Sequence, residues 1–135
     1  MTRSYFVDTW FVIGAFDRFD TANRAVRQLG DRLSGAELVT HDAVLMEFLA
    51  FVSGSGAMNR RAAVQFVRDT ALRYTVLPAG RELFVRALDL YDNRTDKEYS
   101  LVDCMSMVVM KERSIRHVLT NDHHFRQEGF EVVNE

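Results

Sequence analysis

Apolar and polar positions follow two rhythms along the chain. Short runs rich in β-branched and aromatic residues predict strands: SYFVD (Ser4 to Asp8), AELVT (Ala36 to Thr40), RYTVL (Arg73 to Leu77), HVLT (His117 to Thr120) and FEVV (Phe130 to Val133). Between them lie longer segments of helical period. Thr21 to Leu33 sets Ala22, Ala25, Val26, Leu29 and Leu33 on one face with arginines opposite, and Gly35 is placed to end that helix. His41 to Val52 predicts a second helix, Asn59 to Leu72 a third with Asn59 as its N-cap, Gly80 to Tyr91 a fourth, and Leu101 to Arg113 a fifth. The SGSG of Ser53 to Gly56 is a turn, and DNRTDKE (Asp92 to Glu98) is a charged loop.

Strands alternating with helices build a parallel sheet covered on both faces. The fold class expected is therefore α/β, with three layers around a short parallel sheet of four or five strands. No repeat, low-complexity tract or Pro- or Gly-rich linker divides the chain, so one domain over residues 1–135 is expected.

Composition narrows the function classes. The net charge of −2 gives no global attraction to nucleic acid, but fifteen of the seventeen cations are arginine, the side chain suited to phosphate, so any such contact must be a local patch. A single cysteine, Cys104, forms no intrachain disulfide, and the N-terminal residues lack a secretory h-region with a cleavage site, which points to a cytoplasmic protein. Charges interrupt every apolar run well short of the roughly 18–20 residues that a bilayer span needs. No membrane association is expected.

Four acids stand out. Asp103 opens YSLVDCMSMVVMKER, where Leu101, Val102, Cys104, Met105, Met107, Val108, Val109 and Met110 surround it with apolar side chains. A carboxylate there must be neutralised, capped, paired or metal-bound, because burying it unpaired costs several kcal/mol. Ser100 three residues earlier gives a capping-box reading of the same acid. Glu47 repeats the anomaly in the apolar helix HDAVLMEFLAF, although a solvated helical Glu is the plain alternative. Asp8 ends the first strand, where open α/β sheets bind ligands, and equally suits a helix cap. Asp122 follows the strand HVLT at the matching place and equally suits an Asx-turn. Clustered carboxylates repel, and a hard divalent cation such as Mg²⁺ or Mn²⁺ is the usual means of holding them together. Zinc fits less well, because thiolate is scarce and the histidines lack ligand spacing.

FVDT with Asp8, HDAVLMEF with Glu47, YSLVDCMSMVVMKERSI with Asp103 and VLTNDHHFRQEGF with Asp122 resemble, in order, the motifs of the PIN-domain ribonucleases. The similarity is greatest to the single-domain toxins of VapBC toxin–antitoxin pairs. It implies a compact α/β/α PIN-like fold, a Mg²⁺- or Mn²⁺-dependent endoribonuclease site, an RNA substrate, a cognate antitoxin and a homodimer. It also implies that Asp8 and Asp103 are the principal metal ligands, that Asp122 binds directly or through water, and that Glu47 completes the pocket or orients the attacking water. Thr9 is expected to orient Asp8. The reading from a different class is a catalytically silent PIN-like module that binds RNA or protein; occupation of all four acid positions speaks against it.

The remaining reactive side chains have plainer expectations. His124 is expected to hydrogen-bond its loop while Phe125 packs. Arg60, Arg61 and Arg126 are expected on solvated faces. Cys104 reads as a small buried hydrophobe rather than a nucleophile.

Overall fold

The computed structural model describes residues 2–135. Five parallel strands form one sheet in the order β3-β2-β1-β4-β5: β1 (Ser4–Val7), β2 (Glu37–His41), β3 (Thr75–Leu77), β4 (His117–Leu119) and β5 (Glu131–Val133). The central strand β1 pairs with β2 through Tyr5 opposite Leu38, and with β4 through Phe6 opposite Val118. Phe6, Val7, Val39, Val118 and Leu119 are wholly buried, as strands covered on both faces require.

The chain leaves β1 in opposite directions along the sheet. From β1 it steps outward to β2 and β3, crossing over through α1 (Thr9–Phe16), α2 (Asn23–Arg32), α3 (Asp42–Val52) and α4 (Ala57–Arg73). From β3 it returns past the centre to β4 through α5 (Arg81–Asn93) and α6 (Leu101–Glu112), and one turn of helix, α7 (His124–Gln127), leads to β5. Right-handed crossovers in opposite senses put the two helix sets on opposite faces. Accordingly α1 packs on α2 and α3, α3 packs on α4, and α5 packs on α6. This is the three-layer α/β/α fold expected, with five strands.

The predicted elements recur with end shifts, and two helices are additional. α1, TWFVIGAF, is apolar on every side, so no helical period marks it off from the preceding strand. α7 is too short to show a period. α4 starts two residues before Asn59, with Gly56 preceding it at φ +99°, a left-handed backbone that glycine tolerates. Asn59 therefore lies inside the helix instead of capping it. α1 and α2 meet at Gly14, where an added Cβ would lie 2.6 Å from Val26 Cγ2. Among the described residues no helix is long and apolar enough to cross a membrane.

Candidate active site

Because β1 lies between the two directions of winding, the carboxyl ends of β1 and β4 frame the crevice where such sheets bind ligands. Asp8 follows β1 there, buried, at the N-cap position of α1. Its side chain makes no cap hydrogen bond. Instead the Thr120 hydroxyl at the end of β4 donates to Asp8 Oδ2 at 2.7 Å. The same hydroxyl accepts the Asp122 backbone N–H at 3.1 Å, so one buried threonine couples the acids that follow neighbouring strands.

Asp103 resolves its two readings by adopting both. The Ser100 hydroxyl accepts the Asp103 N–H, and Asp103 Oδ2 accepts the Ser100 N–H, each at 3.0 Å, a complete capping box. This fixes the carboxylate against the first turn of α6 and leaves Oδ1 outside the box. Glu47 differs from its reading as a second buried acid. It is solvent-exposed on α3, and its Oε1 accepts the hydroxyl of Thr9. The expected role of Thr9 is corrected accordingly: its hydroxyl serves Glu47, and only its backbone N–H serves Asp8.

The charges of the four acids act on one another. Burial pushes the Asp8 carboxyl up to about 6; the bonds from Thr120 and the Thr9 backbone pull it back, and the charges of Asp103 and Glu47 raise it further. Asp103 is also raised, first by burial, while the Ser100 backbone opposes the shift and Asp122 and Glu47 add to it. A tighter group lies inside this set. One donor atom each from Asp103, Asp122 and His124 falls within 4.8 Å of the others. Asp8 and Glu47 stand outside that group.

His124 is the member that sequence reasoning assigned elsewhere. Its backbone N–H donates to Asp122 Oδ1 at 2.9 Å, as a loop role requires, and Phe125 is fully buried. The imidazole, however, faces the acids: Nδ1 lies 3.2 Å from Asp122 Oδ1, and as a buried atom it has no hydrogen-bond partner in line. Hard carboxylate oxygens beside an imidazole nitrogen with no hydrogen bond in line are a donor set that fits a divalent cation. Thr120 was the other omission, and the sole signal for it is its place two residues before Asp122. Cys104 is buried and its thiol is pushed up to about 11 by burial and the Asp103 charge, which keeps it protonated and inert. Arg126 pairs with His123 at 2.9 Å on the exposed side of the loop.

A family model described as the PIN domain matches residues 5–131. This chain belongs to the PIN domain family. Among solved structures, this PIN domain is similar to VapC20 of Mycobacterium tuberculosis, a sarcin-ricin loop cleaving toxin, with a TM-score of 0.84 and 24% identity over 97% of this chain and 99% of that one. It also resembles VapBC2 of Rickettsia felis, solved with a promoter DNA fragment, with a TM-score of 0.72 and 12% identity over 97% and 98% of the two chains. FitAcB of Neisseria gonorrhoeae matches with a TM-score of 0.63 and 18% identity over 96% of each chain. At these identities the likeness is one of fold. No curated protein matches this chain in sequence.

Proposed function

We propose that this PIN domain is an endoribonuclease that hydrolyses RNA phosphodiester bonds with a divalent cation, Mg²⁺ or Mn²⁺, at Asp8, Glu47, Asp103 and Asp122. The observation that carries the reading is geometric: a donor atom of Asp103 and one of Asp122 lie within 4.8 Å of each other, and the Thr120 hydroxyl bonds both Asp8 and the backbone of Asp122. Such a cluster is unfavourable alone and favourable around a cation. VapC20, a sarcin-ricin loop cleaving toxin, shares the fold.

When bound, the cation supplies positive charge for the phosphate and a lowered pKa for the attacking water. The protein's own groups supply position. Thr120 holds Asp8 and the Asp122 loop in one arrangement, and the Ser100 cap fixes Asp103. Glu47, exposed and held by Thr9, accepts a hydrogen bond from the attacking water and orients it toward phosphorus, in line with the leaving 3′-oxygen; the water's proton passes to solvent and the leaving oxygen takes one from solvent. The products are a 5′-phosphate and a 3′-hydroxyl.

We further propose that the chain is the toxin of a toxin–antitoxin pair, cytoplasmic and homodimeric. VapBC2 shares its fold, and the exposed Met46, Phe51 and Met58 on α3 and α4 are apolar surface of the kind that protein partners cover. Incubating purified protein with RNA and Mg²⁺ or Mn²⁺, with and without EDTA, tests the activity. Cleavage lost on chelation and in Asp8→Asn and Asp103→Asn is expected. Cleavage surviving all three contradicts the mechanism, and RNA binding without cleavage in any metal favours a silent module. Growth arrest on expression of the chain, relieved by a small protein encoded beside it, tests the toxin assignment.

A further inference from the structure

We propose that His124 is a metal ligand: its Nδ1 joins Asp122 and Asp103 around the cation, and this nitrogen donor biases the site toward transition ions such as Mn²⁺ over Mg²⁺. The inference rests on the proposed cation site and adds a ligand and a selectivity to it. Three observations support it. The first is spacing. With metal–ligand bonds of roughly 2.1 Å, neighbouring donors on an octahedral ion lie about 3 Å apart and opposite donors about 4.2 Å apart. Nδ1 lies 3.2 Å from Asp122 Oδ1, and one donor atom from each of the three residues falls within 4.8 Å of the others. The Nδ1–Oδ1 separation is that of neighbouring donors on one ion.

The second is the state of the nitrogen. Nδ1 is buried and has no hydrogen-bond partner in line, although a carboxylate oxygen is close by. A buried nitrogen in that position costs free energy unless it finds a partner. The third is support behind the ring. The Tyr99 ring meets the imidazole edge-on at 5.7 Å, and its hydroxyl donates to Glu128, which Arg94 grips through Nε at 2.6 Å and Nη2 at 3.3 Å. Phe125, the next residue, is anchored in the core. These contacts restrict the turning of the ring. Imidazole suits transition ions, whereas Mg²⁺ prefers oxygen donors and keeps its waters, so the nitrogen sets the selectivity. His123 provides an internal control, since it is exposed and its Nδ1 is engaged by Arg126.

The test uses the full chain with one equivalent of Mn²⁺ as probe, read by electron spin-echo envelope modulation, with natural and ¹⁵N-labelled histidine. Nitrogen modulation that changes with the label is expected in the wild type and in His123→Gln, and its loss is expected in His124→Gln and His124→Asn. Mn²⁺ affinity should fall about 10-fold or more in the His124 variants, and Mg²⁺ affinity by a smaller factor. Mn²⁺ bound to the wild type without nitrogen modulation overturns the ligand assignment and leaves the acidic site standing. Modulation that survives both His124 substitutions does the same. Failure of Mn²⁺ to bind the wild type overturns both this inference and the proposed cation site.

Discussion

Helices α3 and α6 have the same pattern in sequence, each apolar almost all round with one acid set inside the apolar run, yet they occupy different environments. α6 is sealed on most sides, with Cys104, Met105, Ser106, Met107, Val109 and Met110 all buried. α3 buries Val44 and Phe48 but leaves Met46 64% and Phe51 62% exposed. An apolar circumference therefore reports either burial from every side or an uncovered face, since both need the same residues. The acids divide the same way. Asp103 sits half-buried in its capping box with a raised pKa, whereas Glu47 stands in solvent, tethered through Thr9.

The largest effect expected from this difference is on cleavage. Asp103→Asn retains the acceptor oxygen of the capping box but removes the charge, and RNA cleavage should fall by about 10²–10³-fold. Glu47→Gln should cost less, about 10–100-fold, as befits an exposed orienting group. Equal losses would erase the distinction between the two acids. In the cores of the same helices, Met110→Ala should destabilise by about 2–5 kcal/mol in urea unfolding, while Met46→Ala should change stability by less than about 0.5 kcal/mol.

Next in size is the pH dependence at Asp8. Its folded pKa, about 6, lies above the ordinary carboxylate value, so the stability it contributes is complete below about pH 4 and is lost as pH rises through 6. Burial lowers His41 to about 4, which has the opposite sign: its contribution is present above 6.5 and is lost as pH falls through 4. The two slopes oppose, so the Asp8 contribution is read from the difference between wild type and Asp8→Asn. In cation-free buffer the variant should match the wild type near pH 4 and exceed it by roughly 2–3 kcal/mol at pH 7. A variant less stable at pH 7 would show that Asp8 bears no burial cost. The smallest effect is that of Ser100→Ala, which removes half of the capping box and should cost about 1 kcal/mol.

The layered fold was legible because strand and helix periods alternate along most of the chain. Where period was absent, as in the uniformly apolar TWFVIGAF, the helix was not legible. The acids were legible as anomalies of burial or of strand-end position. Their supporting groups were not. Thr120 couples Asp8 to Asp122 only because β1 and β4 are neighbours, and Thr9 reaches Glu47 only because α1 packs on α3. His124 shows the same limit: its backbone role follows from the local sequence, but its ring meets Asp103 through tertiary packing alone.

The central claim, that the acids form one cation site, is tested most directly by thermal unfolding at pH 7 with and without Mn²⁺, in the wild type and in Asp103→Asn. A cation at 100-fold excess over its Kd stabilises a single site by about 2.7 kcal/mol. The account predicts a rise in Tm corresponding to that stabilisation for the wild type and little or none for the variant. An equal rise in both, or no rise in the wild type, would contradict it.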